Sequence, residues 1–142
     1  MRHYSWGILF GLLFLLSVPA YGEMMSVIVS QANVTASAGR DSKIIFTAYK
    51  HFPVKILKQS ANRVLVEDFE GQHGWMDRDD LSSALRTCII KHSGGVNLRN
   101  GPGKNMPVIR TVDYGIAFEV IENVGGWIHV NHDQGTSGWR YK

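Results

Sequence analysis

One cysteine, Cys88, stands in a chain of 142 residues, so no intrachain disulfide can form and small disulfide-stapled scaffolds are excluded. Excess charge is missing as well: 15 Lys and Arg face 12 Asp and Glu, a formal net charge of +3. Loss of Arg2 with a leader would lower it further, and a balance so near neutral argues against nucleic acid or another polyanion as partner. Helical periodicity is absent beyond the leader, where no stretch keeps an apolar spacing of about 3.6 residues over three turns. Long apolar runs are absent but for Gly7 to Val18. A spanning helix needs about 20 apolar residues, whereas this run is nearer the roughly 7 to 15 of a removable secretory signal.

Pro19 breaks that run, and Ala20 and Gly22 are small residues of the kind a signal peptidase reads, so cleavage is expected between Gly22 and Glu23. Residues 1–22 are thus read as a signal-peptide helix, the alternative being an uncleaved membrane anchor. The mature protein is expected in the periplasm or outside the cell, with no stable membrane span. No cysteine follows the leader directly, which removes the lipid-attachment site of a lipoprotein.

What the sequence does have is a duplication. Asn33 matches Asn97, Gly39 matches Gly103, Thr47 matches Thr111, Gly71 matches Gly135, Gly74 matches Gly138 and Trp75 matches Trp139, all at a constant offset of sixty-four residues. Apolar positions keep the same phase, as in Val34 and Leu98, Ile45 and Ile109, Leu57 and Ile121, or Val64 and Ile128. The period is longer than the roughly 20 to 50 residues of a solenoid repeat, so it reads as two copies of one small domain, at 23–84 and 85–142. A domain of about 60 residues hides only about 60% of its unfolded surface, which makes docking of the copies or of a partner a plausible source of stability. Glu67, Asp68, Glu70, Asp77, Asp79 and Asp80 crowd the end of the first copy, whereas Arg99, Lys104, Arg110, Arg140 and Lys142 make the second the basic one.

Within each copy the pattern is that of short strands. Val27 to Val29 is β-branched, Phe52, Val54 and Ile56 alternate with Pro53, Lys55 and Leu57, and Ile116, Phe118 and Val120 repeat that alternation. These sets point inward, as do Val64, Val66, Ile128 and Val130. Arg78 to Leu85 has room for one helical or 3₁₀ turn. Gly101-Pro102-Gly103 ends a strand at Arg99, with the glycines free to take positive φ. It is no phosphate cradle, since proline removes an N–H and no helix follows. Five strands per copy, joined by glycine turns, fit two small all-β barrels.

Val96-Asn97-Leu98-Arg99-Asn100-Gly101-Pro102-Gly103, Pro107-Val108-Ile109, Gly125-Gly126-Trp127-Ile128-His129-Val130 and Gly135-Thr136-Ser137-Gly138-Trp139 resemble the bacterial Src homology 3 (SH3-like) domain. The first copy is similar at Asn33-Val34, Gly39 and Gly71-Gln72-His73-Gly74-Trp75, but has Ser37-Ala38 in place of Gly-Pro and Arg63 in place of Trp127. The resemblance implies tandem five-stranded SH3-like barrels, exported and non-enzymatic, that bind cell-wall (peptidoglycan) peptides or another protein. The other reading is an envelope scaffold or inhibitor that pairs with an exported enzyme through strand edges. The second copy also reaches Lys142 before the position matching Leu81, and sets Arg140 where the first has Met76, so looser closure and greater exposure are expected there.

Trp127 has the opposite parity to Ile128 and Val130 and is expected on the outer face. With Trp139, Tyr114 and Arg99 it is a candidate ligand platform; alternatively these rings cover barrel ends and turns. Cys88 sits in an apolar strand, where a thiol is a small hydrophobe and not a nucleophile. His129 and His132 would share a face only on a helix, so no metal and no cofactor is expected.

Overall fold

The computed structural model describes residues 21–142, and the expected signal helix lies outside them but for its last two positions, Tyr21 and Gly22. The fold is all β. Strands β1 (Met24–Val27), β2 (Gln31–Thr35), β3 (Ile44–Tyr49), β4 (Pro53–Ser60), β5 (Arg63–Glu67), β6 (His73–Asp77) and β7 (Leu81–Ser82) form one antiparallel sheet in the order β3-β2-β6-β5-β4-β1-β7. Strands β8 (Thr87–Ile89), β9 (Val96–Arg99), β10 (Val108–Val112), β11 (Ala117–Val124), β12 (Trp127–Asn131) and β13 (Ser137–Tyr141) form a second, in the order β10-β9-β13-β12-β11-β8. The expected five strands per copy become seven and six. After β6 the chain makes a single 3₁₀ turn at Arg78–Asp80, then lays Leu81–Ser82 against β1. The second sheet has no counterpart of β7 among the described residues. Both sheets are open in their pairing, with β3 and β10 as terminal strands.

The two sheets share their register. Asn33 faces Thr47 and Asn97 faces Thr111, with the threonine hydroxyl donating to the asparagine Oδ1 in both. Thr35 pairs with Trp75 as Arg99 pairs with Trp139. Bulges fall at Ile45 and Leu57 in the first sheet and at Ile109 and Ile121 in the second. Such a bulge adds one residue to a strand and turns it out of the alternation. The apolar side chains of Ile45, Ile109 and Ile121 are accordingly exposed.

Alternation elsewhere buries what it should. Val34, Val54, Ile56, Val64, Val66 and Met76 are sealed in the first core, and Leu98, Phe118, Ile128 and Val130 in the second. Three inward positions differ from expectation. Phe52 and Val120 are half-buried and Ile116 is exposed; Phe52 and Ile116 sit just ahead of their strands, beside the seam between the sheets. The turn at Gly101-Pro102-Gly103 also forms without positive φ at either glycine. Gly101 is instead a packing glycine: a Cβ there would stand 3.0 Å from Met106 Cγ and Sδ.

The seam is tied by three contacts. Ser26 and Thr87 hydroxyls lie 2.7 Å apart, the Tyr114 hydroxyl donates to Glu70 Oε1 at 2.7 Å, and Lys50 Nζ meets Asp133 Oδ1 at 2.8 Å. His51 lies beneath them, 4% exposed, with Nδ1 unpartnered and a left-handed φ of 72° where the second copy has Gly115 at 81°. Burial holds its imidazole below the ordinary histidine pKa, opposed by Glu119 and Asp133 and assisted by Lys50 and His132. The unfolded chain then binds the proton more readily than the folded one, so His51 costs stability as pH falls below about 6.5 toward the lower folded value. Melting temperature should drop between about pH 7.5 and 5.5, and His51→Asn, which tolerates positive φ, should flatten that dependence. An identical slope in both proteins would place the titrating group elsewhere.

Candidate functional site

The outer face of the second sheet is built by β9, β12 and β13. Trp127 pairs with Tyr141 and His129 with Trp139 across β12 and β13, and Trp139 pairs in turn with Arg99 of β9. Directly paired residues project to one side of a sheet, so these five side chains share a face. Trp127 meets Tyr141 edge to face at 5.5 Å, and His129 stacks on Trp139 at 4.9 Å with an interplanar angle of 8°. Arg99 Nη1 donates to the Met106 carbonyl at 2.8 Å, which holds its guanidinium near the loop and leaves its remaining donors available.

Beside Trp127 the surface sinks into a cleft of about 390 Å³ lined by Arg99, Lys104, Arg140, Trp127 and Tyr141, together with His92 and the start of β9. No aspartate or glutamate lines it. Arg140 stands at the inward position opposite Ile128, where Met76 of the first copy is sealed, yet it is half-exposed and its buried Nε has no partner. Arg140 thus joins Arg99 and Lys104 around the cleft. Burial pushes the Cys88 thiol above its ordinary pKa, only partly offset by the Arg140 guanidinium, and a protonated thiol is a poor nucleophile.

The four sequence-predicted residues do not all meet. Arg99, Trp127 and Trp139 come together, whereas Tyr114 lies in the loop after β10 and turns to the seam, 5.6 Å from Phe69 and bonded to Glu70. That bond and partial burial raise its pKa. Lys104, Arg140 and Tyr141 belong to the site but were not marked by motif; the basic set of the second half and the substitution of Met76 by Arg140 were the signals of it. His129 and His132 diverge as expected on a strand, one bonded to Ser137 Oγ at 2.9 Å and the other edge-on to Phe118 at 5.6 Å. Among the described residues, no group of three or more His, Cys, Asp or Glu side chains is placed to hold a metal ion.

The equivalent positions of the first sheet are closed. Arg63 replaces Trp127 and lies flat, with Nη2 donating to Thr35 Oγ1 at 2.5 Å and to the Trp75 carbonyl at 3.1 Å, and Nη1 3.2 Å from Asp77 Oδ1. Both of its terminal nitrogens are engaged within the sheet, and its buried Nε is left without a partner.

The family model for the bacterial SH3 domain matches residues 94–142, which span β9 to β13 and the cleft apart from His92. No curated protein matches the sequence significantly. Among solved structures, the chain is similar to NlpC2 of Trichomonas vaginalis at 16% identity and a TM-score of 0.39, covering 86% of this chain and 46% of that one. It is similar to an NlpC/P60 family protein from Bacillus cereus at 14% identity and a TM-score of 0.41, covering 84% of this chain and 54% of that one. The chain spans about half the length of these proteins. Motifs, sheet and family model agree in one respect: the segment 94–142 is similar to the bacterial SH3 domain.

Proposed function

We propose that this protein is a non-enzymatic, exported binding module of two tandem SH3-like domains, 23–84 and 85–142, that recognises cell-wall peptides through the cationic cleft of the second. The observation that carries this reading is Arg99, Lys104 and Arg140 around one indole with no carboxylate among them. A peptide carboxylate would satisfy the guanidinium donors while its neighbouring side chain packs on Trp127, and a desolvated Arg with an aromatic wall is the usual composition of a binding hot spot. The shared register of the two sheets supports the tandem reading, and the closed face at Arg63 explains why only one copy would bind. The leader supports export.

Co-sedimentation with purified sacculi tests it. The protein should stay in the pellet as salt is raised, and Trp127→Ala should weaken retention at least about tenfold. Equal retention of the variant would remove the cleft from the mechanism. The second reading, pairing with an exported enzyme through a strand edge, is favoured by β10, a terminal strand with Val108 and Ile109 exposed. A protein left in the supernatant but captured by such an enzyme would select it.

A further inference from the structure

The larger concavity lies away from the cleft, in the seam between the sheets, with a volume of about 830 Å³. We propose that this seam is a second binding site, which takes an extended basic peptide as an added strand on the free edge of β3. The site is independent of the cationic cleft.

Phe46, Thr47 and Tyr49 of β3 all line the groove. Successive residues of a strand point to opposite faces, so both parities reach one groove when it runs along the strand's edge. β3 ends the first sheet and pairs with β2 alone, and its outer N–H and C=O groups have no ladder partner among the described residues, although the Tyr49 carbonyl at its end accepts the Phe52 N–H at 3.0 Å. An unpaired edge of this kind is a template for an incoming strand.

The side chains along the groove decide which strand. One wall is aromatic: Phe52 lies 6.1 Å from Phe46 and 5.8 Å from Phe69. The charges are Asp68, Glu70 and Asp133 against one lysine, Lys50, which is already engaged with Asp133 at 2.8 Å. Asp68 Oδ1 accepts the backbone N–H of Glu70 and Gln72, and Glu70 Oε1 accepts the Tyr114 hydroxyl. These bonds fix the carboxylates in place while leaving their charge uncompensated. A fixed negative charge beside aromatic faces suits an ammonium or guanidinium and repels an acidic segment. The occupant is therefore a peptide in extended form with a lysine or arginine at the position facing Glu70.

The test uses the full chain labelled with nitrogen-15 and two end-blocked peptides of alternating sequence, acetyl-Thr-Val-Lys-Val-Thr-amide and its counterpart with Glu in place of Lys. Blocked ends withhold the terminal carboxylate from the cationic cleft, and both affinities are read from the β3 amides alone, so a Glu side chain held by the cleft does not enter the comparison and failure here and failure of the cleft are separable. The Lys peptide should shift the amides of β3, slow their hydrogen exchange, and bind about tenfold more tightly than the Glu peptide. Glu70→Gln should reduce that preference severalfold. Equal affinity for the two peptides, absence of any β3 response, or shifts confined to Trp127 and Arg99 would overturn the proposal. So would β3 shifts that follow protein concentration alone, because a second copy would then occupy the edge.

Discussion

Gly74→Ala is expected to destabilise the first sheet by about 3 kcal/mol, the upper end of the ordinary cost of overpacking. The reason is where β6 crosses β2. An added Cβ would overlap Val34 Cγ1 and come within 2.8 Å of Ile45 Cδ1 and 3.3 Å of the Thr35 carbonyl. Val34 is fully sealed and cannot swing aside, so the strands themselves would have to separate. In a domain of this size that is a fall of on the order of 15 °C in melting temperature. Gly138 is the same crossing in the second sheet, with Leu98 Cβ at 2.9 Å, Ile109 Cδ1 at 3.1 Å and the Arg99 carbonyl at 3.2 Å. Leu98 Cβ is as immobile as Val34, but the overlap at Gly138 is much shallower than at Gly74, so Gly138→Ala should cost less, about 1 to 2 kcal/mol. Paired melts of the two variants check the order; a harmless Gly74→Ala would mean that the crossing is looser than described.

Phe118→Ala should cost about 3 to 5 kcal/mol, as full truncation of a buried phenylalanine does. Phe118 is the largest sealed side chain of a core that has only five other buried members, Ile90, Leu98, Val112, Ile128 and Val130. So small a core has little in reserve, and the second sheet is expected to unfold at ambient temperature. The first sheet has its own cluster, to which no residue of the second sheet belongs, and should survive. Emission from Trp127 and Trp139 should shift red while the amide dispersion of β2 to β6 is retained. Phe118→Leu, which keeps most of the volume, should be much milder. Loss of both sheets in a single transition would instead make the seam contacts part of one cooperative unit.

Much of this architecture was legible in the residues. The constant offset placed Gly74 and Gly138, and Trp75 and Trp139, at matching points, and their pairing partners match as well. Parity put Trp127 outside while Ile128 and Val130 went in, because a strand's two-residue period is local and survives packing. The bulges at Ile45, Ile109 and Ile121 were not legible, since one inserted residue breaks the period and an exposed isoleucine reads as core. Nor was the partner of Tyr114, whose ring follows the seam to Phe69 and Glu70 and so leaves the candidate platform.

By itself the sequence determined the strand class and most of the inward faces, which depend on alternation within a few residues. Only the tertiary structure decided that Arg140 joins Arg99 and Lys104 in one cleft, that Arg63 seals the same place in the first sheet, and that β3 borders an acidic groove. Those three depend on how separate strands and sheets come to rest against one another. Residues dozens of positions apart become neighbours there, and no periodicity along the chain encodes which of them meet.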